Sequence, residues 1–147
     1  HMRRTYSLLI GERQAEEVKI GLGSAAASST ESEKMEVKGR DLIDGFPRGI
    51  VVTGAEVREA LREPVGAIVA AVHAGLEHVP PELAADLVDS GITLTGGGAL
   101  LRGLDGLLRV ETALPITISA DPLTCVVRGA GKLLDTLALL RRVAIPT

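Results

Sequence analysis

Aromatic side chains are nearly absent from this chain of 147 residues, which has Tyr6, Phe46 and no tryptophan. Its core must therefore be assembled from Val, Leu, Ile and Ala, which supply most of the 46% apolar content. The single cysteine, Cys125, excludes an intrachain disulfide and any cysteine-rich metal site, and suits a reducing compartment. Charge of one sign is also lacking: 16 Lys and Arg face 19 Asp and Glu, for a formal net charge of −3. No basic field marks a nucleic-acid partner. No apolar run reaches the roughly 18 to 20 residues that span a bilayer. The His1-Met2-Arg3-Arg4 start leads into too few apolar residues before Gly11 to read as a signal peptide. What remains is a chain about one domain long, whose periodic apolar segments and 24% charged residues exclude disorder.

The segments are well punctuated. Tyr6 to Ile10 is short and apolar, and Gln14 to Leu22 reads as a helix with Ala15, Val18 and Leu22 on one stripe. Gly23 to Thr30 holds small residues without periodicity and reads as a flexible connector. Met35 to Lys38 and Gly49 to Thr53 are candidate strands, joined across Gly39 to Pro47 as a hairpin with a long loop. Thr53 and Glu56 have the spacing of a capping box. Val57, Ala60 and Leu61 follow at helical spacing, and Pro64 is expected to end that helix and start another. The second helix would carry Val65, Ile68, Val69, Val72 and Leu76 toward a core. Pro80-Pro81 restarts a shorter helix, which Asp89-Ser90-Gly91 closes.

Strand and helix then alternate twice. Ile92 to Thr95 is a short strand, followed by Gly96-Gly97-Gly98 and a helix carrying Leu100, Leu101, Leu104, Leu107 and Leu108. Pro115 to Ser119 is the next strand, and Asp121-Pro122 has the signature of a cap and first-turn proline. The helix beyond it has a stripe from Val126 and Val127 through Ala130, Leu133, Leu134 and Leu137 to Leu140. Such alternation implies an α/β layer with parallel strand pairing.

The feature richest in chemistry is Thr95-Gly96-Gly97-Gly98-Ala99, set between a strand and a helix. Glycines let the backbone approach a ligand, and a helix start offers amide donors, which suits a phosphate or nucleoside. A tight strand-to-helix turn needs the same glycines for its dihedrals alone, and both readings stand. Leu101 occupies the third glycine place of the dinucleotide fingerprint, so that motif is excluded. Gly129-Ala130-Gly131-Lys132 imitates the tail of a P-loop. However, Val126 replaces its first glycine, and Leu133 its magnesium-holding hydroxyl residue. Glu16, Glu17 and Lys19 form either a solvated helix face or a contact to a ribose or adenine. His73 and His78 are five positions apart, which does not place them on one helical face, and the pair of His73 with Glu77 lacks a third ligand. No metal site is read. Cys125, by a helix start, has no histidine near it in sequence to act as a base.

Several of these segments, in this order, resemble the MreB and Mbl family of bacterial actin homologues. Leu8-Leu9-Ile10-Gly11-Glu12-Arg13 with Ala15-Glu16-Glu17-Val18-Lys19 is similar to that family's nucleotide-facing LIGERTAEEIK stretch. Met35 to Leu42 resembles its EVRGRDL strand. Pro80 to Asp86, Leu94 to Asp105 (LTGGGALLRGLD) and Asp121 to Val126 complete a likeness running from Arg3 to about Leu137. It implies part of an actin-like (ribonuclease H-like) ATPase fold of the α/β class. Residues 1–11 would be a cloning remnant and the end of a truncated helix. Residues 12–90 would form the upper subdomain, and 91–147 the C-terminal strands and helices of the lower one.

By the same resemblance, Gln14, Ala15, Glu16, Glu17 and Lys19 would line one side of an adenosine pocket, with Glu16 bonded to ribose or adenine. Thr95, Gly96, Gly97, Gly98 and Ala99 would pass beneath the nucleotide. Gln14 departs from the family's threonine, and Gly23 to Glu33 departs from its loop. The family's two acidic phosphate hairpins and magnesium-holding residues have no counterpart in this sequence, so no catalytic residue is assigned. The resemblance implies ATP or ADP with magnesium in the intact protein, and none in this piece. It further implies filament formation, shape determination through the cell-wall synthesis machinery, and a cytoplasmic place at the inner face of the membrane. Unpaired lower-subdomain strands would invite pairing with a second copy. Three alternatives are a self-contained nucleotide-binding or interaction module, a sugar kinase, and a heat-shock chaperone ATPase.

Overall fold

A computed structural model of the chain describes residues 1–27 and 29–135. The chain opens with a short helix α1 (Met2–Tyr6), strand β1 (Leu8–Leu9) and helix α2 (Glu12–Leu22). A hairpin of β2 (Lys34–Asp41) and β3 (Pro47–Thr53) leads into the longest helix, α3 (Gly54–Glu77). Then come α4 (Pro81–Ser90), β4 (Ile92–Leu94), α5 (Leu104–Thr112), β5 (Ile116–Ile118) and α6 (Cys125–Asp135).

Two sheets result. In the antiparallel one, ordered β1-β2-β3, Leu8 faces Asp41 and Val37 faces Ile50. Its inner face meets α2 and the start of α3, burying Val18, Leu22, Val37 and Val52 together. Gly39 is required where it stands, because a Cβ there would run into the Leu9 carbonyl of the neighbouring strand. The other sheet has two strands, β4 and β5, paired in parallel from Ile92–Ile116 to Leu94–Ile118. There α3 and α5 close a second core around Val65, Leu104, Leu108 and Ile116.

The capping box is formed. The Thr53 hydroxyl accepts from the Glu56 amide at 3.3 Å, and the Glu56 carboxylate accepts from the Thr53 amide at 2.8 Å. Glu56 also accepts from the Tyr6 hydroxyl, which ties α1 to the start of α3. That donor is the main reason the Glu56 carboxyl lies below its ordinary pKa, while the same bond pushes the Tyr6 hydroxyl up.

Several expectations are corrected. Pro64 does not end a helix but lies within α3. Its missing N–H removes one bond of a 24-residue helix. Leu61 and Val65, on either side, pack into the second core, so tertiary contact holds the helix through the break. The segment from Gly23 is no free connector at its start: Ser24 is 2% exposed and pairs with Arg102 as a parallel bridge. The hairpin loop is shorter than expected, since the strands extend to Asp41 and resume at Pro47.

After the glycines, one expected helix becomes two pieces, a 3-10 turn (Gly97–Leu100) and α5. The bridge at Arg102 and a left-handed Gly103 (φ 74°) interrupt the run. Helix α6 exists, but Val126, Val127 and Leu134 are exposed rather than packed. Leu137 and Leu140 lie outside the described residues. Gly91 does close α4, at φ 70°. The described residues include no helix long and apolar enough to cross a membrane.

Candidate functional site

Between α2 on one side and the glycine turn on the other lies a cleft of about 450 Å³. That is within the roughly 300 to 1,000 Å³ of small-molecule sites. Glu16, Lys19 and Ile20 reach it from α2, and Leu61, Pro64, Val65 and Ile68 form its floor on α3. Gly97, Gly98, Leu100, Leu101 and Arg102 supply the opposite wall, with Leu123 beside them. The helical period explains the α2 face: Glu16, Lys19 and Ile20 fall three and four apart, while Val18 and Leu22 turn into the core.

The walls are largely apolar, with one carboxylate and two cations at the polar positions. This chemistry suits a flat heterocycle with a hydroxylated, anionic tail. The glycines match it sterically. A Cβ on Gly98 would meet nothing within 4 Å, and one on Gly97 only Leu123 at 3.7 Å. Their lack of side chains therefore leaves open space in the cleft rather than relieving a clash in the fold.

The structure divides the sequence-derived candidates. Glu16, Lys19, Gly97 and Gly98 meet in the cleft. Gln14 instead uses its side-chain carbonyl to accept from the Lys38 amide of β2 at 3.2 Å. Ala15 lines a separate gap of about 130 Å³ beneath α1. Glu17 pairs with Arg13 at 3.1 Å on the solvent side. Ala99 is buried behind the turn, 3% exposed. Gly96 (φ 77°) donates its amide to the Pro122 carbonyl at 2.6 Å, holding the turn against the loop before α6. Thr95 precedes that turn and does not line the cleft.

Reading residues by type missed Arg102, Leu61, Ile68 and Leu123. The aliphatic three look like ordinary core positions, and a lone arginine carries no pattern. Asp121 does not cap α6, which begins at Cys125, nor is Pro122 in its first turn: the Asp121 carboxylate accepts from the Thr124 amide at 3.3 Å in the turn before the helix. Gly129 to Lys132 lie inside α6, as a helix and not a phosphate loop. Cys125 is half-buried, its thiol donating to the Pro122 carbonyl at 3.6 Å.

Comparison with known proteins adds the family. The cell shape-determining protein MreB of Escherichia coli is 50% identical over 137 residues, 93% of this chain and 39% of that protein. The cell shape-determining protein Mbl of Bacillus subtilis is 46% identical over 137 residues, again 93% of this chain and 41% of its own length. This chain thus spans about two fifths of those relatives. Among solved structures, MreB5 of Spiroplasma citri bound to ADP superposes with a TM-score of 0.86 at 34% identity, over 97% of this chain and 43% of that one. A MamK double helical filament gives 0.70 at 22% identity, over 91% of this chain and 40% of that one, a likeness of fold alone. The α/β architecture described above is therefore part of the actin-like fold. The family described as MreB/Mbl protein matches residues 1–142, and the chain belongs to it.

Proposed function

We propose that this chain is the adenosine-holding portion of an actin-like protein that forms ATP-dependent filaments and determines cell shape. The observation that carries the reading is the meeting of Glu16 and Lys19 with Gly97 and Gly98 around one cleft. Glu16 would accept from the ribose hydroxyls or the adenine amine, and Lys19 would neutralise charge beside it. The glycine turn would let the nucleotide lie against backbone, with the α3 floor excluding water from the base. Solved relatives support the ligand class, one bound to ADP and another to AMPPNP. The names of the curated relatives support the cellular role.

In the whole protein, residues 12–90 would form the upper subdomain and 91–147 the C-terminal part of the lower one. Filament formation, magnesium at the phosphates, and action with the cell-wall machinery at the inner face of the membrane belong to this reading of the whole protein. Gln14, Ala15 and Glu17 would support α2 rather than touch the ligand, and Thr95, Gly96 and Ala99 would shape the turn. No catalytic role is assigned to any residue of this chain. Phosphoryl transfer depends on positioned metal and phosphate clamps, and the cleft residues supply neither.

Two substitutions on one helix test the reading. Glu16→Ala should weaken ADP binding by about tenfold, the size of one hydrogen bond to a charged group. Glu17→Ala, on the solvent side, should leave binding unchanged. Equal effects of the two, measured by titration calorimetry, would remove Glu16 from the site.

A further inference from the structure

Three hydrogen bonds tie Arg102 to the end of α2 and to the residues just beyond it. Its Nη1 donates to the Gly21 carbonyl at 3.0 Å, in the last turn of α2. Its own carbonyl accepts from the Ala25 amide at 2.8 Å and from the Ser24 hydroxyl at 3.2 Å. A glycine keeps the passage close on the Arg102 side, since a Cβ on Gly103 would stand 3.3 Å from Ala26 Cβ. The backbone contacts make a fixed pivot just beyond the end of α2. The guanidinium then reaches from that pivot to the helix end itself.

A cation there is doubly favoured, since it satisfies a last-turn carbonyl and sits at the negative end of the helix dipole. Helix α2 presents Glu16 and Lys19 to the cleft, and Arg102 stands on the glycine wall facing them. We infer that Arg102 is the strut that sets the width of this cleft, a positioning residue for the nucleotide, and this rests on the adenosine reading above. Its side chain is exposed, so its loss removes a tether without hollowing the core. The backbone bridge at Ser24 remains as a pivot, and α2 gains freedom to swing about it. The cleft then samples widths in which Glu16 and the glycine turn no longer meet the same ligand.

The test uses the whole chain with Cys125→Ser and spin labels at Glu12→Cys and Val110→Cys, on the outer parts of α2 and α5. Distance distributions are read by pulsed electron spin resonance, beside calorimetric titration of ADP. Arg102→Ala should broaden the distribution toward longer distances and raise the ADP dissociation constant about tenfold, the loss of one charge-assisted hydrogen bond. Arg102→Lys, which keeps a cationic donor of shorter reach, should recover part of both effects. Arg62→Ala, in a surface pair with Glu59, should change neither. An unchanged distribution in Arg102→Ala overturns the strut. A broadened distribution with undiminished ADP affinity overturns its positioning role. A broadened distribution in a chain that binds no ADP before substitution leaves the strut standing and removes the nucleotide reading instead.

Discussion

Val37 and Val52, on neighbouring strands of the antiparallel sheet, are 0% and 1% exposed, whereas Val126 and Val127 of α6 are 68% and 66% exposed. The residue type is the same, and the outcome differs because the two regions close differently. The antiparallel sheet is built from consecutive strands, with α2 and α3 covering its inner face, and it buries its apolar face within about 60 residues of sequence. The parallel pair β4–β5 has two strands, and parallel sheets need neighbours at their edges and helices on both faces. It receives α3 and α5, while α4 and α6 contribute no buried residue. Apolar periodicity therefore marks the face an element offers for packing, and chain topology decides whether a partner lies within reach.

Four variants and a pH series sharpen or break that contrast. The largest effect is expected from Leu108→Ala, fully buried where α5 meets α3 and β5. It should cost about 3 kcal/mol, measured by urea unfolding, and hydrogen exchange should show the second core opening before the antiparallel sheet. Gly91→Ala comes next, at about 2 kcal/mol, because the site has φ 70° and its Cβ would run into the Pro115 carbonyl. Thr53→Ala removes one side of the capping box and should cost about 1 kcal/mol.

Acid should act on the antiparallel side. The Asp41 carboxyl is held below its ordinary value of 3.8, chiefly by the Ile43 amide and then by Arg48 at 2.7 Å. A lowered folded-state value means the stabilisation is fully present above 3.8 and disappears as pH falls through the lower value. The hairpin should thus loosen in that acidic window, followed by amide exchange at 42–46 and at Arg48, and Asp41→Asn should flatten the dependence. The smallest change belongs to Val126→Lys with Val127→Lys. It should alter stability by no more than about 0.5 kcal/mol per site while lowering binding of a hydrophobic dye. A large loss would show that α6 packs more tightly than its exposure indicates.

The local signals were legible wherever a short stretch of sequence settles the matter. Thr53 with Glu56 located the start of α3, Gly91 the end of α4, and alternating Met35 to Lys38 the middle of β2. What escaped was set by distant partners. Pro64 reads as a break because its ring forbids one bond, yet Leu61 and Val65 hold α3 in place from outside the helix. Ser24 reads as part of a loose linker because its partner, Arg102, lies 78 residues away.

The site was half legible for the same reason. Five α2 residues share one motif, but helical geometry sends Glu16 and Lys19 to the cleft, Ala15 to the gap beneath α1, Glu17 to solvent and Gln14 to the edge of β2. Gly97 and Gly98 open onto the cleft, while Gly96 is spent on the contact to Pro122.

The most direct measurement is the footprint of ADP on the backbone amides of the isotope-labelled chain. The account predicts concentration-dependent shifts at both walls together, Glu16 to Ile20 and Gly96 to Leu101. The affinity should be weak, with a dissociation constant of about a millimolar, near 4 kcal/mol of binding free energy, since only the adenosine portion is gripped. Shifts confined to one wall, or scattered outside the cleft, would contradict it, and tight magnesium-dependent binding would favour the self-contained nucleotide-binding module instead.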